Sequence, residues 1–334
     1  MSAYPAGAIE RDRFILERRP PRPAHDPWRA HGVIVEDERI ADGTPARVAT
    51  VFLTGRECPW RCLMCDLWQF STTDGTPHGA LPIQVADARR KIDQLGGVTR
   101  AKLYNAGSFF DPRAVPESDY DAVAASLRGL AGLIVESHPT LVGSRTERWL
   151  DSMARHAGLA APALEVAMGL ETTHPDALAR LHKGMTLDTF AEAAGRLQVM
   201  GVGLRVFLLV SVPFIPIDQQ VAWLRRSVAV AWQCGAGVVS LIPTRPGNGA
   251  LDAIAAEGHF AAPSIDDLER AHETTLAMPR PAGARVFADT WDLERFATCP
   301  HCLPRRRARM QTMNLEQRIL PRVPCTHDPE PGSR

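Results

Sequence analysis

The chain has 334 residues, 45% hydrophobic and 23% charged, with 38 basic and 38 acidic side chains and a formal net charge of zero. That length holds one α/β domain of about 200–250 residues plus extensions, or two smaller domains. Zero net charge excludes a bulk attraction to polyanions or anionic membranes, and no apolar run reaches the roughly 18–20 residues that span a bilayer.

The opening MSAYPAGAIERDRFILERRPPRPAHDPW carries acidic residues and lacks the apolar centre of a secretory signal, so the expectation is a cytoplasmic protein without a membrane partner. Residues 1–45, rich in Pro and Arg, read as an irregular N-terminal extension. Residues 33–53 then read as a hairpin-like entry whose second arm, RVATVFLTG, is a strand. A loop with three cysteines follows it. From there apolar runs alternate with helical periodicity: a helix over 83–96, a strand over 101–110, a helix over 118–132 and a strand over 133–139. Next come a helix over 146–158, a strand over 163–172, a helix over 186–201, a strand over 203–213 and a helix over 219–235. A strand over 237–243, a helix over 264–278 and a short strand over 284–291 complete the series.

About six β/α units in a row predict a parallel sheet with helices on its outer face. Six are too few for a closed eight-fold barrel, so the expected fold is α/β, an open partial (β/α)6 barrel over 46–290 with a C-terminal segment over 291–334. Ligands of such folds sit at the carboxyl ends of the strands. The first cysteines lie at that end.

Six of the seven cysteines fall in two clusters. In a chain of this size and expected compartment, clustered cysteines point to metal or redox chemistry rather than to a disulfide framework. The seventh, Cys234 in AWQCGAG, reads as a small buried hydrophobe. Cys58, Cys62 and Cys65 make a C-x3-C-x2-C pattern. A structural zinc site closes with four ligands, whereas a cubane iron–sulfur cluster held by three thiolates leaves one iron free.

In the loop after the first barrel strand, this pattern resembles the radical S-adenosylmethionine (SAM) enzymes. The resemblance implies that Cys58, Cys62 and Cys65 hold a 4Fe–4S cluster whose free iron chelates SAM. Electron transfer from the cluster, supplied by a reductant such as flavodoxin or ferredoxin, would release a 5′-deoxyadenosyl radical that abstracts hydrogen from substrate. By position, Asn105, Ala106, Gly107 and Ser108 in YNAGSFFD fall where the family's glycine-containing motif meets the methionine amino group. Glu136 and Glu171 end the next two strands and read either as contacts to SAM or substrate, or as partners of Arg145 or Arg205. Ser211 and Pro243 lie where later strand ends approach the nucleoside half of SAM. The runs VESHP, GLETTHPDALARLHKGMT and LRVFLLVSVPF resemble one branch, that of the Elongator catalytic-subunit-like proteins and the radical SAM subunit of archaeosine synthase.

Near the far end, Cys299-x2-Cys302 and Cys325 form a second metal signal. Its readings are an auxiliary iron–sulfur cluster or a zinc site completed by His301 or His327. The RRRAR run between them, with Arg318 and Arg322, makes the segment locally basic and suits either a solvated helix face or recognition of an anionic group. The resemblance favours a nucleoside or tRNA-type substrate. Small-molecule chemistry with an auxiliary cluster is the alternative, and a non-catalytic iron–sulfur or zinc protein is the alternative of another class.

Overall fold

The computed structural model describes residues 4–325. One eight-stranded sheet runs in sequence order. β1 (Gly32–Arg39) pairs antiparallel with β2 (Pro45–Leu53), and every later strand is parallel to its neighbour. These are β3 (Arg100–Asn105), β4 (Gly132–Glu136), β5 (Leu164–Glu171), β6 (Gly203–Val210), β7 (Val238–Pro243) and β8 (Arg285–Ala288). The sheet curls into a half-barrel, as the repeated β/α units predicted, with β8 as a short seventh parallel strand.

Helices α2 (Ala80–Leu95), α3 (Tyr120–Ser126), α4 (Ser144–Ser152), α5 (Pro175–Arg180), α6 (Leu187–Val199) and α7 (Gln220–Gln233) follow β2 to β6 along the chain. After β7 come α8 (Ala250–Ala256) and α9 (Ile265–Leu276), and after β8 comes α10 (Leu303–Glu316). Their sequences dictate both ends and faces. In α2 the buried Leu81, Val85, Ala88 and Ile92 recur at helical spacing, and the chain leaves the helix through Gly96 at φ 66°. In α9 a Ser264–Asp267 capping box satisfies the first amides.

The N-terminal stretch is irregular over 19–31 but not over 8–18. Ala8–Arg18 forms a helix, α1, whose Phe14 and Ile15 pack with Tyr4, Leu63, Leu251, Ile254 and Phe260. The reading missed it because the apolar Ile9, Phe14, Ile15 and Leu16 do not recur at i, i+3 or i+4 spacing, and only Phe14 and Ile15 are buried.

Period-two alternation divides the sheet into two faces. Val51, Leu103, Val135, Met168, Val206 and Leu241 point outward into the main core under the helices. Their strand neighbours line the concave side, where Ala46, Val48, Ile134 and Ala167 cluster with Tyr104 and Phe207. The bottom of the concave side is charged. Glu38 meets Lys102 Nζ at 2.6 Å and also pairs with Arg205, while Arg205 Nε reaches Glu165 Oε1 at 2.5 Å. Burial would raise the Glu38 carboxyl, but Arg205 and Lys102 outweigh it and hold the group far below the usual carboxylate range. Among the described residues, no helix is long and apolar enough to cross a membrane.

Candidate metal and cofactor site

The chain leaves β2 at Leu53 and enters the loop that carries Cys58, Cys62 and Cys65, all free thiols. The loop is pinned from behind. Leu63 is fully buried, its N–H donates to Leu181 O at 2.9 Å, and the buried Asn248 amide donates to Leu63 O at 2.6 Å and to Cys65 O at 3.3 Å. Glu57 anchors the other side by pairing with Arg19 (2.7 Å), Arg22 and Arg61 (3.2 Å). α1 therefore lies as a cap over the cysteine loop. It is held by Tyr4 Oη donating to Arg180 O (2.5 Å), Arg11 Nη1 donating to Ala179 O (2.8 Å) and His182 against Asp12 (2.8 Å).

Burial pushes the Cys62 thiol up to about 12, although nearby Lys183 pulls it down. Burial also raises Cys58 and Cys65. Thiols in such surroundings ionise when a bound cation compensates the thiolate. The three sulfurs do not converge within 4.8 Å of one another; among the described residues only the C-terminal trio does. Thiolates that each hold a different iron of a cubane stand farther apart than thiolates sharing one ion. His78 takes no part, since it pairs with Asp119 at 2.5 Å.

The strand ends put further groups beside this loop. Asn105 closes β3, is 5% exposed, and neither its amide oxygen nor its amide nitrogen has a hydrogen-bond partner. A buried polar group left so costs about 1–3 kcal/mol. Its neighbours serve the fold. A side chain at Gly107 would come within 2.7 Å of Arg56 O and 2.9 Å of Ala114 Cβ, so the chain itself needs this glycine. Ala106 is 8% exposed. Ser108 Oγ accepts from His138 N–H (3.0 Å) and donates to Ser137 Oγ (3.1 Å), tying the β3 loop to the β4 loop.

Glu136 and Glu171 sit on the concave face at the ends of β4 and β5. Neither pairs with Arg145 or Arg205. Arg145 braces the loop after β3 through Phe110 O (2.9 Å), Val115 O (2.8 Å) and Glu117 (2.9 Å), and Arg205 belongs to the floor. Glu171 instead pairs with Lys183 Nζ at 2.5 Å. Burial lowers the Lys183 ammonium, but Glu171 and the Cys62 and Cys58 sulfurs more than compensate and hold it charged. Burial pushes Glu136 up to about 8, with Glu171 adding to the rise and Lys183 and Lys102 opposing it. Glu171 adopts φ 65° beside a bulge at Gly169, and Ser211, just past β6, adopts φ 61°. Non-glycine residues held there cost about 1–3 kcal/mol each and gather at functional sites. Pro243 ends β7 opposite Val210.

Lys183, Gly169 and Trp60 were not singled out from sequence. A side chain at Gly169 would occupy the space of the Glu171 carboxylate and Lys183 ammonium. Trp60, between Cys58 and Cys62, stacks on His138. His138 is pushed down to about 3 by burial and by Lys183, and its neutral ring joins Lys183 O (2.9 Å) to Thr140 Oγ1 (2.8 Å). The run LHKGMT held the signal for Lys183, but its partners come from two other loops.

At the other end, Cys299 is half-buried, Cys302 buried and Cys325 exposed, with their sulfurs all within 4.8 Å. His327 lies outside the described residues. Of the arginines here, Arg306 and Arg309 are buried, whereas Arg305, Arg318 and Arg322 are exposed. Arg306 pairs with Glu269 (2.7 Å) and Asp266 (2.5 Å), Arg309 with Glu273 (2.6 Å), Arg322 with Glu273 (2.7 Å), Arg307 with Glu294 (2.5 Å) and Arg318 with Glu316 (2.5 Å). Carboxylates of α9 pair with Arg306, Arg309 and Arg322. Cys234 is half-buried against the main core.

No protein-family model matches the chain. Archaeosine synthase subunit beta of Methanosarcina acetivorans is 24% identical over 198 residues, covering 57% of this chain and 55% of that protein. The chain thus spans just over half the length of this curated relative. Elp3 of the archaeon Methanocaldococcus infernus, solved with an N-terminal deletion, superposes with a TM-score of 0.52 at 12% identity, covering 80% of this chain and 63% of that one. SuiB of Streptococcus suis superposes with a TM-score of 0.48 at 13% identity, over 72% of this chain and 50% of that one. The fold shared with Elp3 and the sequence similarity to archaeosine synthase subunit beta agree with the resemblance read from the cysteine motif and strand ends.

Proposed function

We propose that this chain, with its radical SAM fold, is a radical SAM enzyme acting on a nucleoside or tRNA-type substrate. The observation that supports this reading is the buried Lys183–Glu171 pair beside the Cys58 and Cys62 sulfurs of the cysteine loop. Cys58, Cys62 and Cys65 would hold a 4Fe–4S cluster, and the rim would hold SAM. When bound, the cluster supplies the electron that cleaves SAM to a 5′-deoxyadenosyl radical, which takes hydrogen from substrate.

The chain's own residues do the rest. The Lys183 ammonium offsets thiolate charge at Cys62 and offers a cation to a carboxylate ligand. Asn105 offers a donor and an acceptor to the amino-acid end of a zwitterion. Glu136, a neutral acid at pH 7, can donate a hydrogen bond where an ionised carboxylate could only accept. Leu63, α1 and α8 exclude water from behind the loop. Residues 46–290 make up this core. A flavodoxin- or ferredoxin-type protein is the reductant in this scheme.

The substrate class rests on the similarity to archaeosine synthase subunit beta. A specific observation favours the second reading, small-molecule chemistry: net charge is zero, and three of the C-terminal arginines, Arg306, Arg309 and Arg322, are committed to α9. Anaerobic reconstitution with iron and sulfide, then SAM and dithionite, should release 5′-deoxyadenosine. No product together with no SAM binding would overturn the enzyme reading and leave a non-catalytic metalloprotein. Co-elution with tRNA at low salt supports the nucleoside class, and its absence supports the small molecule.

A further inference from the structure

β8 is the last strand of the sheet, and its far edge would expose unpaired amides. Two side-chain amides of the C-terminal helix region fill that edge. Ala288 N–H donates to Asn314 Oδ1 (2.8 Å) and Ala288 O accepts from Asn314 Nδ2 (2.9 Å). Val286 N–H donates to Gln317 Oε1 (2.7 Å) and Val286 O accepts from Gln317 Nε2 (2.8 Å). Asn314 and Gln317 thus act as a surrogate strand. The same region reaches the opposite edge of the sheet, for Arg39 Nη1 donates to Leu315 O (3.0 Å) and Trp291 Nε1 to Glu36 Oε1 (3.0 Å). α10 closes the side of the half-barrel.

What holds α10 there is a short polar register, and the second cysteine trio brackets it. Cys302 precedes the first residue of α10, Cys299 lies three positions earlier, and Cys325 follows the helix. A tetrahedral ion with bonds of about 2.3 Å to sulfur sets its thiolates about 3.8 Å apart. The trio, with all sulfurs within 4.8 Å, needs little adjustment to take such an ion. Thiolates of a four-iron cluster bind separate irons and stand farther apart.

We propose that Cys299, Cys302 and Cys325 bind a single zinc-class ion, with water as the fourth ligand, and that this ion clips α10 across the open side of the barrel. Binding releases the thiol protons and changes no oxidation state. The inference is independent of the chemistry at the first trio.

The test uses the full chain expressed with both zinc and iron. Metal analysis should find one zinc per chain that survives Cys65→Ser, which strips iron from the first site, and that disappears in Cys325→Ser with the iron unchanged. Native-state hydrogen exchange at the Val286 and Ala288 amides should accelerate about ten-fold in Cys325→Ser. Because that variant could also fail to fold, the paired substitution Asn314→Ala with Gln317→Ala gives a second measure. It should expose the same amides while retaining zinc. The proposal is overturned if Cys325→Ser loses iron and sulfide rather than zinc, if no zinc is found with the trio intact, or if zinc loss leaves β8 exchange unchanged. Absence of iron at the first trio would defeat the radical SAM reading alone.

Discussion

The Trp60 indole lies 3.5 Å, centroid to centroid, from the His138 imidazole, with the two planes 12° apart. One ring belongs to the cysteine loop and the other to the loop after β4, and His138 also bonds to Lys183 O. A single stack therefore couples the candidate cluster ligands to the cation beside them. Gly184, at φ 70°, is required for it, since a side chain there would meet Trp60 Cδ1 at 2.5 Å.

Trp60→Ala should loosen this coupling. Aromatic stacking contributes about 0.5–1.5 kcal/mol beyond burial, so iron retention against a chelator should fall by about two- to ten-fold. Trp60→Phe should retain most of it. Equal retention in Trp60→Ala and the parent chain would show that the stack does not position the loop.

Lys183→Met should strand the Glu171 carboxylate in a buried site. Removing one partner of a buried pair costs about 3–5 kcal/mol, read as a lower denaturant midpoint. Adding Glu171→Gln should recover much of that stability without restoring SAM affinity. Recovery of both would reduce the pair to a structural role.

Asn105→Leu should separate stability from binding. Its amide has no partner in the fold, so an apolar side chain of similar size should leave stability unchanged or raise it by about 1 kcal/mol. SAM affinity, measured by calorimetry on the reconstituted protein, should drop about ten-fold or more. A stability loss with unchanged affinity would contradict the assignment.

Glu136 gives stability a definite pH trend. Its carboxyl titrates near 8 in the fold against an ordinary 4.5, so between those values the native state holds a proton that the unfolded chain has lost. Stability from this group is full below about pH 4.5, declines as pH rises toward 8 and is lost above it, a total of a few kcal/mol. Glu136→Gln should remove that component, so the gap between variant and parent should widen from pH 5 to pH 9 in urea titrations. A gap independent of pH would place the carboxyl in an ordinary environment.

The alternation of apolar runs and helical periods sufficed to predict the partial barrel, because each β/α unit is specified by residues close in sequence. The first cysteine trio was legible for the same reason, with all three thiols in one loop. Lys183 was not, because its meaning depends on Glu171, Cys62 and His138, which come from three separate segments. The arginines of α10 misled in the same way. A run of positive charge is visible in sequence, but Glu269 and Glu273, which neutralise it, lie on another helix. Asn105 was placed by position, whereas its lack of partners emerges only when the surrounding packing is known.

The cap over the cysteine loop has a consequence for biogenesis. Tyr4, Phe14 and Ile15 dock on Leu251, Ile254 and Phe260, and Tyr4 bonds to Arg180 across 176 positions of sequence. Such contacts close late, because the whole intervening barrel must exist before they form. Residues translated near the beginning thus wait for those translated near residue 260 before they can dock. The backing of the cysteine loop by α1 is therefore completed last, while Cys58, Cys62 and Cys65 remain half-exposed in the finished fold.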